Sequence, residues 1–240
     1  MREIVDNLLT MGVAPANALA MQSTSPNTDF ASSRAKPAAA DIARTIVEGL
    51  EAGEFAPGQR MVEADLCLRF GVGRQIIREA LQHLNAYGVV AIEPNRGAHI
   101  IHVTRDEAVM TLELTELLFG LVSRSAARRI AAGCDSTRLS DAIDELVASS
   151  QTDNPAHYMR ARRHLFAALS QIAGNSELNR IMEQVRVHVM RAQFGFAAFR
   201  SGHAQELAEI GQTVLAGKSE EAEDLSRAYV RRIREFLQQI

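Results

Sequence analysis

Residues 63–101 read EADLCLRFGVGRQIIREALQHLNAYGVVAIEPNRGAHII, and their order of apolar and turn-forming residues decides the fold. In Glu63–Phe70, Leu66 and Phe70, with Cys67 beside them, lie one helical turn apart and form an apolar stripe. Gly71 follows, a residue type that tolerates the left-handed conformation closing a helix. A second helix is predicted from Arg74 to Tyr87, with Ile77, Ala80, Leu81 and Leu84 on one face and Arg74, Gln75 and Arg78 on the other. Gly88 ends it. Val89–Glu93 and Ala98–His102 then read as two strands, joined by the turn residues Pro94-Asn95-Arg96-Gly97. Two helices with a short Gly-containing turn, followed by a hairpin, make a winged helix-turn-helix. The second helix of such a unit enters the major groove of DNA.

The totals set limits around this unit. A chain of 240 residues, 47% hydrophobic, can hold two modest domains with real cores. Its net charge of −3 excludes a generally basic nucleic-acid coat. Within 41–103, six arginines (44, 60, 69, 74, 78, 96) face eight acids (41, 48, 51, 54, 63, 65, 79, 93). Attraction to phosphate must therefore come from local placement. Cys67 and Cys134 sit in helical patterns and form no disulfide framework, which fits a reduced cytoplasm. No stretch approaches the roughly 18 uninterrupted apolar residues of a membrane span, and the N-terminus does not read as a secretory leader.

Working outward, residues 1–36 drift from a weakly apolar patch (Ile4, Val5, Leu8, Leu9) into a Ser/Thr/Asn/Pro-rich stretch. They read as a flexible extension, with a short helix over 2–10 as the alternative. Residues 38–52 supply the first helix of the winged unit, burying Ile42, Ile46, Val47 and Leu50, and Gly53, Pro57 and Gly58 make a turn before Met61. Thr104-Arg-Asp-Glu107 is a capping box that starts a new helix and marks the domain boundary. Beyond it only amphipathic helices are predicted: 105–132, 136–149, 154–174, 177–199, one between Gly202 and Gly217, and 219–240. The expected fold is mainly α, with an extension over 1–36, a winged helix-turn-helix over 37–103 and an all-α six-helix bundle over 104–240.

The motifs Asp41-Ile-Ala-Arg, Gly53-Glu-Phe-Ala-Pro-Gly-Gln-Arg-Met61, Gly71-Val-Gly-Arg74, Arg78-Glu-Ala-Leu81 and Glu93-Pro-Asn-Arg-Gly-Ala98 resemble the DNA-binding domain of GntR-family bacterial transcription regulators. The helical part resembles the effector-binding (FCD) domain of the FadR subfamily through helix count, chain order, Leu169–Asn175 and Val214–Gly217. Within this motif string, Arg74 and Arg78, one helical turn apart, suit guanine edges or phosphates, and Gln75 suits adenine or phosphate. Asn95, Arg96 and Gly97 form the wing tip, where Arg96 suits a narrow minor groove. Relatives often carry Arg at the position of Ala64, Ser or Thr at Gly73, and Pro or Thr at Ile76. Their operator sequence therefore does not transfer.

The resemblance also bears on the bundle. Many relatives hold a divalent metal with an Asp, a His four residues later, and two His spaced 22 apart. Aligned on the Gly-Asn and Gly landmarks, those positions are Arg162, Phe166, Leu207 and Tyr229 here, so no metal cofactor is expected. His157, His164, His188 and His203 offer no His-x₃-His pair, and the stretch 191–199 reads as core or dimer packing. Arg162 instead suits a carboxylate or phosphate, within an otherwise apolar wall of Phe166, Leu207 and Tyr229, with His203 as a further lining residue. That combination points to a larger apolar organic acid or an acyl thioester as effector. The resemblance as a whole implies a cytoplasmic homodimeric regulator, by default a repressor, reading a palindromic double-stranded operator. The alternative is a bundle that only dimerises and takes no small ligand. No enzyme motif is present, neither a nucleophile elbow nor a phosphate loop.

Overall fold

The structure, a computed structural model, describes residues 37–152, 154–184, 187–194 and 200–239. The expected extension over 1–36 lies outside the described residues. The winged unit opens with α1 (Ala39–Glu51), whose Ile42, Ala43, Ile46 and Leu50 are buried. It continues through β1 (Arg60–Met61), α2 (Glu63–Phe70), α3 (Arg74–Ala86), β2 (Val90–Glu93) and β3 (Gly97–Ile100). Ile77, Ala80, Leu81 and Leu84 of α3 are buried, the face that the 3.6-residue period predicted. Gly71 closes α2 at φ 66°, with its N–H donating to the Cys67 carbonyl.

β1 is an addition to the expected hairpin. The three strands pair antiparallel in the order β1-β3-β2, with Met61 opposite Ala98 and Val90 opposite Ile100. Two residues are too short to show an alternating pattern, so the turn expected before α2 contains a strand. Met61 anchors it in the core at 3% exposure.

Thr104 then caps α4 (Arg105–Ala131) through the expected reciprocal bonds. Its Oγ1 accepts from the Glu107 N–H at 3.3 Å, and Glu107 Oε2 accepts from the Thr104 N–H at 2.8 Å. The bundle continues with α5 (Thr137–Ser150), α6 (Pro155–Ala173), α7 (Ser176–Gln184), α8 (Val187–Phe194), α9 (Arg200–Leu215) and α10 (Ser219–Gln239). α7 and α8 occupy the stretch where one helix over 177–199 was expected. Residues 185, 186 and 195–199 lie outside the described ones, as does the His188 side chain. Asn154 caps α6, accepting from the His157 N–H at 3.1 Å, with Pro155 at the first helical position.

α4 and α10 form the most extensive helix pair of the bundle. They approach closely at Gly120, where an added Cβ would sit 2.7 Å from Cγ of Arg227. Beside this point the buried Ser226 hydroxyl donates to Ser123 at 2.6 Å. Glu116, 5% exposed, takes Arg231 at 2.6 Å and Arg234 at 3.2 Å. Leu139, Ile143, Leu146, Leu165, Leu169, Leu207 and Val214 fill the space between α5, α6 and α9. Among the described residues no helix is long and apolar enough to cross a membrane.

Ile77 is fully buried in the winged core. Ile77→Ala is expected to lower stability by about 2–5 kcal/mol, the cost of a large-to-small core change, in urea unfolding followed by circular dichroism.

Candidate nucleic-acid interface and bundle site

Burial of one face of α3 presents the other. Arg74, Gln75 and Arg78 are all exposed along it. Gly73 is the N-cap and makes no side-chain capping bond, so no hydroxyl covers the first amides of the helix. Arg78 is held from the side. Its Nε donates to Glu63 Oε1 at 2.9 Å and Oε2 at 3.1 Å, from the first turn of α2. The hydrogen bond to Glu63, and then the carboxylate's charge, raise the Arg78 pKa above its ordinary value. The shift reinforces the positive charge that an arginine side chain ordinarily carries.

Between α3 and the sheet lies a groove of about 610 Å³, lined by Arg60, Met61, Glu63, Arg78, Leu81 and Gly97 among others. Arg60 is the residue that sequence reasoning passed over, since it entered only as one of six charges. Pairing of β1 with β3 puts it opposite His99, with its guanidinium close to Gly97 at the base of the wing. At the wing tip, Pro94 and Asn95 occupy the central turn positions. Asn95 stands at φ 63°, and the Arg96 N–H donates to the Glu93 carbonyl at 3.2 Å. The Arg96 side chain is 82% exposed, with Nη1 3.3 Å from Glu93 Oε2.

The six arginines of this unit now separate into two groups. Arg44 pairs with Asp41 and Glu48, Arg69 with Glu54, Arg78 with Glu63 and Arg96 with Glu93. Arg60 and Arg74 have no carboxylate partner among the described residues.

In the bundle, four of the five residues singled out from the sequence are joined in one chain of contacts. The Arg162 guanidinium lies 4.4 Å from the centroid of the Phe166 ring, one turn further along α6. Phe166 packs on Phe119 of α4 at 4.9 Å, and Phe119 meets the edge of Tyr229 of α10 at 6.3 Å. The Tyr229 hydroxyl is 3.0 Å from His203 Nδ1 on α9. Leu207, one turn beyond His203, is fully buried. Phe119 is the member that sequence reasoning missed; it lies 47 positions from Phe166, and nothing in the pattern of α4 marks it out. Arg, Phe, Leu and Tyr do not make a donor set for a divalent ion. Among the described residues no group of three or more His, Cys, Asp or Glu is arranged to hold one.

The signature of bacterial regulatory proteins of the gntR family matches residues 38–100, and that of the FCD domain matches residues 110–232, just over half of the chain. The chain belongs to the GntR family, FCD type. As a GntR-family regulator it carries a DNA-binding winged helix and a helical FCD domain. No match was found among curated proteins. Among solved structures it is similar to a GntR transcriptional regulator from Rhodococcus sp. RHA1, with TM-score 0.70 and 22% identity over 84% of this chain and 97% of that one. McbR/YncC of E. coli has TM-score 0.70 and 16% identity over the same shares. Lar, which controls the agr system of Listeria monocytogenes and mediates its virulence, has TM-score 0.52 and 21% identity over 89% of this chain and 100% of its own. At these identities the likeness is one of fold.

Tyr229 is 3% exposed and its hydroxyl meets His203. Tyr229→Phe is expected to lower stability by about 0.5–1.5 kcal/mol, the net worth of one such bond, in thermal unfolding.

Proposed function

We propose that this GntR-family regulator is a cytoplasmic, homodimeric, sequence-specific repressor without enzymatic activity. In this reading the winged unit ends at Val103, and each copy reads one half of a palindromic operator. A bulky organic acid or acyl thioester in the FCD domain modulates operator binding. The observation that carries the DNA reading is the exposed row of Arg74, Gln75 and Arg78, on a helix whose opposite face is fully buried. Arg74 and Gln75 serve base edges and phosphates at the start of α3, and Arg78 serves one turn later. Asn95, Arg96 and Gly97 enter the adjacent minor groove, while Arg60 takes phosphate beside the wing. Arg78→Ala should weaken binding to a duplex selected from a randomised pool by about ten- to a hundredfold in fluorescence anisotropy. The thermal midpoint should hold, since Arg78 sits on the surface. Unchanged affinity would remove Arg78 from the interface.

The homodimer is supported by an apolar stripe on α4. Met110, Leu114 and Leu117 are 59%, 47% and 53% exposed, and half-buried Leu121 continues the row at heptad spacing. The row is self-complementary about its midpoint. An antiparallel second copy sets Leu114 against the partner's Leu117, Met110 against the partner's Leu121, and Glu107 against the partner's Arg124. Leu114→Glu combined with Leu117→Glu is expected to give a monomer in light scattering, and a surviving dimer would move the interface elsewhere.

For the effector, Arg162 serves the acid group, and Phe166, Leu207, Tyr229 and His203 serve the apolar body. The full burial of Leu207 and near-full burial of Tyr229 favour a second reading, in which the bundle is packed solid and only dimerises. A thermal-shift screen of divalent metals, dicarboxylates, sugar acids, aromatic acids and acyl thioesters separates the two. Stabilisation by an organic anion that Arg162→Ala abolishes supports the effector reading, and no shift from any compound supports the second. Stabilisation by a metal alone would overturn the metal-free assignment of the four family positions.

A further inference from the structure

Arg163 is the neighbour of Arg162 on α6 and points about 100° away from it around the helix. Arg162 stacks on Phe166 in the bundle site, whereas Arg163 reaches into the DNA-binding half. Its Nη1 donates to Glu51 Oε2 at 2.9 Å and its Nη2 to Glu48 Oε1 at 3.0 Å. Both acids lie on α1, three residues apart and so on one face, and Arg44 also approaches Glu48 at 3.4 Å. The Glu51 side chain is only 1% exposed. A carboxylate so buried is stable while its cation stays in place, and removing that cation alone is costly.

A second polar contact joins the two halves at the boundary itself. Gln193 of α8 accepts from the Val103 N–H at 3.0 Å and donates to the Val103 carbonyl at 2.5 Å. One side-chain amide thus satisfies both backbone groups of the residue preceding the Thr104 cap. α8 also packs against α1. Among the described residues, two polar contacts and the packing of α8 on α1 therefore hold the winged unit to its own bundle. One of these polar contacts adjoins the charge proposed to meet an effector.

We propose that Arg163 is a positioning residue, which fixes the DNA-binding half against the bundle and carries the state of the Arg162 site to it. The second part rests on the effector reading above; the first does not. Successive residues of a helix move together, so an anion that draws Arg162 displaces Arg163 relative to Glu48 and Glu51. The winged unit then loses or keeps its seat according to which arrangement the anion favours. Gln193 holds the pivot at Val103.

The test uses full-length protein, with Arg163→Met to remove the charge while keeping an apolar stem and Arg163→Lys as the conservative change. Hydrogen exchange is read at residues 101–104, which lie outside the ion pairs of Arg163 with Glu48 and Glu51. Release of the winged unit by Arg163→Met should speed exchange there by about tenfold or more, with Arg163→Lys closer to wild type. Exchange unchanged in Arg163→Met would overturn the positioning role, whatever binds in the bundle. The coupling is then read with sodium octanoate and sodium benzoate as probes, on a duplex selected by the wild-type protein from a randomised pool. A probe that shifts wild-type melting should change wild-type DNA affinity by about tenfold. In Arg163→Met the melting shift should persist and the change in affinity should vanish. A response that persists in Arg163→Met would overturn the coupling. If neither probe shifts melting, the effector reading fails for these acids and the coupling falls with it, while the exchange result still decides the positioning role.

Discussion

Burial of Ile77, Leu81 and Leu84 in the core shared with Ile42, Ile46 and Leu50 is the constraint on which the surface proposed to face DNA depends. A helix has one orientation in which its apolar stripe is dry, so packing α3 against α1 also sets the direction of Arg74, Gln75 and Arg78. The short sheet completes the arrangement. With Met61, Val90, Ala98 and Ile100 buried beneath it, the wing tip is carried on a rigid base beside the helix. The positions proposed to touch DNA are therefore specified by residues buried in the core beneath them.

Electrostatics divides the winged unit in a way that its summed charge conceals. Glu48 and Glu51 face Arg163 of the bundle, so part of the acid excess belongs to the contact between halves. Glu63 and Glu93 hold Arg78 and Arg96 from the side. Arg60, on the lining of the groove, and Arg74, at the start of α3, are left as cations without an acid partner among the described residues. An acidic domain can thus present a locally basic surface.

Periodicity made most of this legible. The stripes of α1 and α3, the Thr104 cap, the Asn154-Pro155 start of α6 and the glycine ends at Gly71 and Gly174 are local signals, each contained within a few residues. β1 escaped because two residues carry no alternation, and its existence depends on a partner strand 37 positions away. The contacts around Arg162 were partly legible: the family resemblance singled out positions 162, 166, 207 and 229, of which three share one line of contacts. Phe119, Arg163 and Gln193 were not legible, since each matters through a neighbour 47 or more positions away in the chain. Local pattern reveals what a helix buries but not which distant side chain meets it.

In the proposed DNA complex, the carboxylates that brace Arg78 and Arg96 also set how the protein travels on DNA. A guanidinium already carrying its own counter-charge displaces fewer condensed cations from a duplex, so contact with random sequence gains little from ion release. Arriving at the correct bases, the same side chain is pre-aimed and loses little rotamer freedom on docking. The protein should therefore leave wrong sites quickly and slide only briefly. Its discrimination would then rest on residence time at the right sequence, with little contribution from a strong general grip on the polymer.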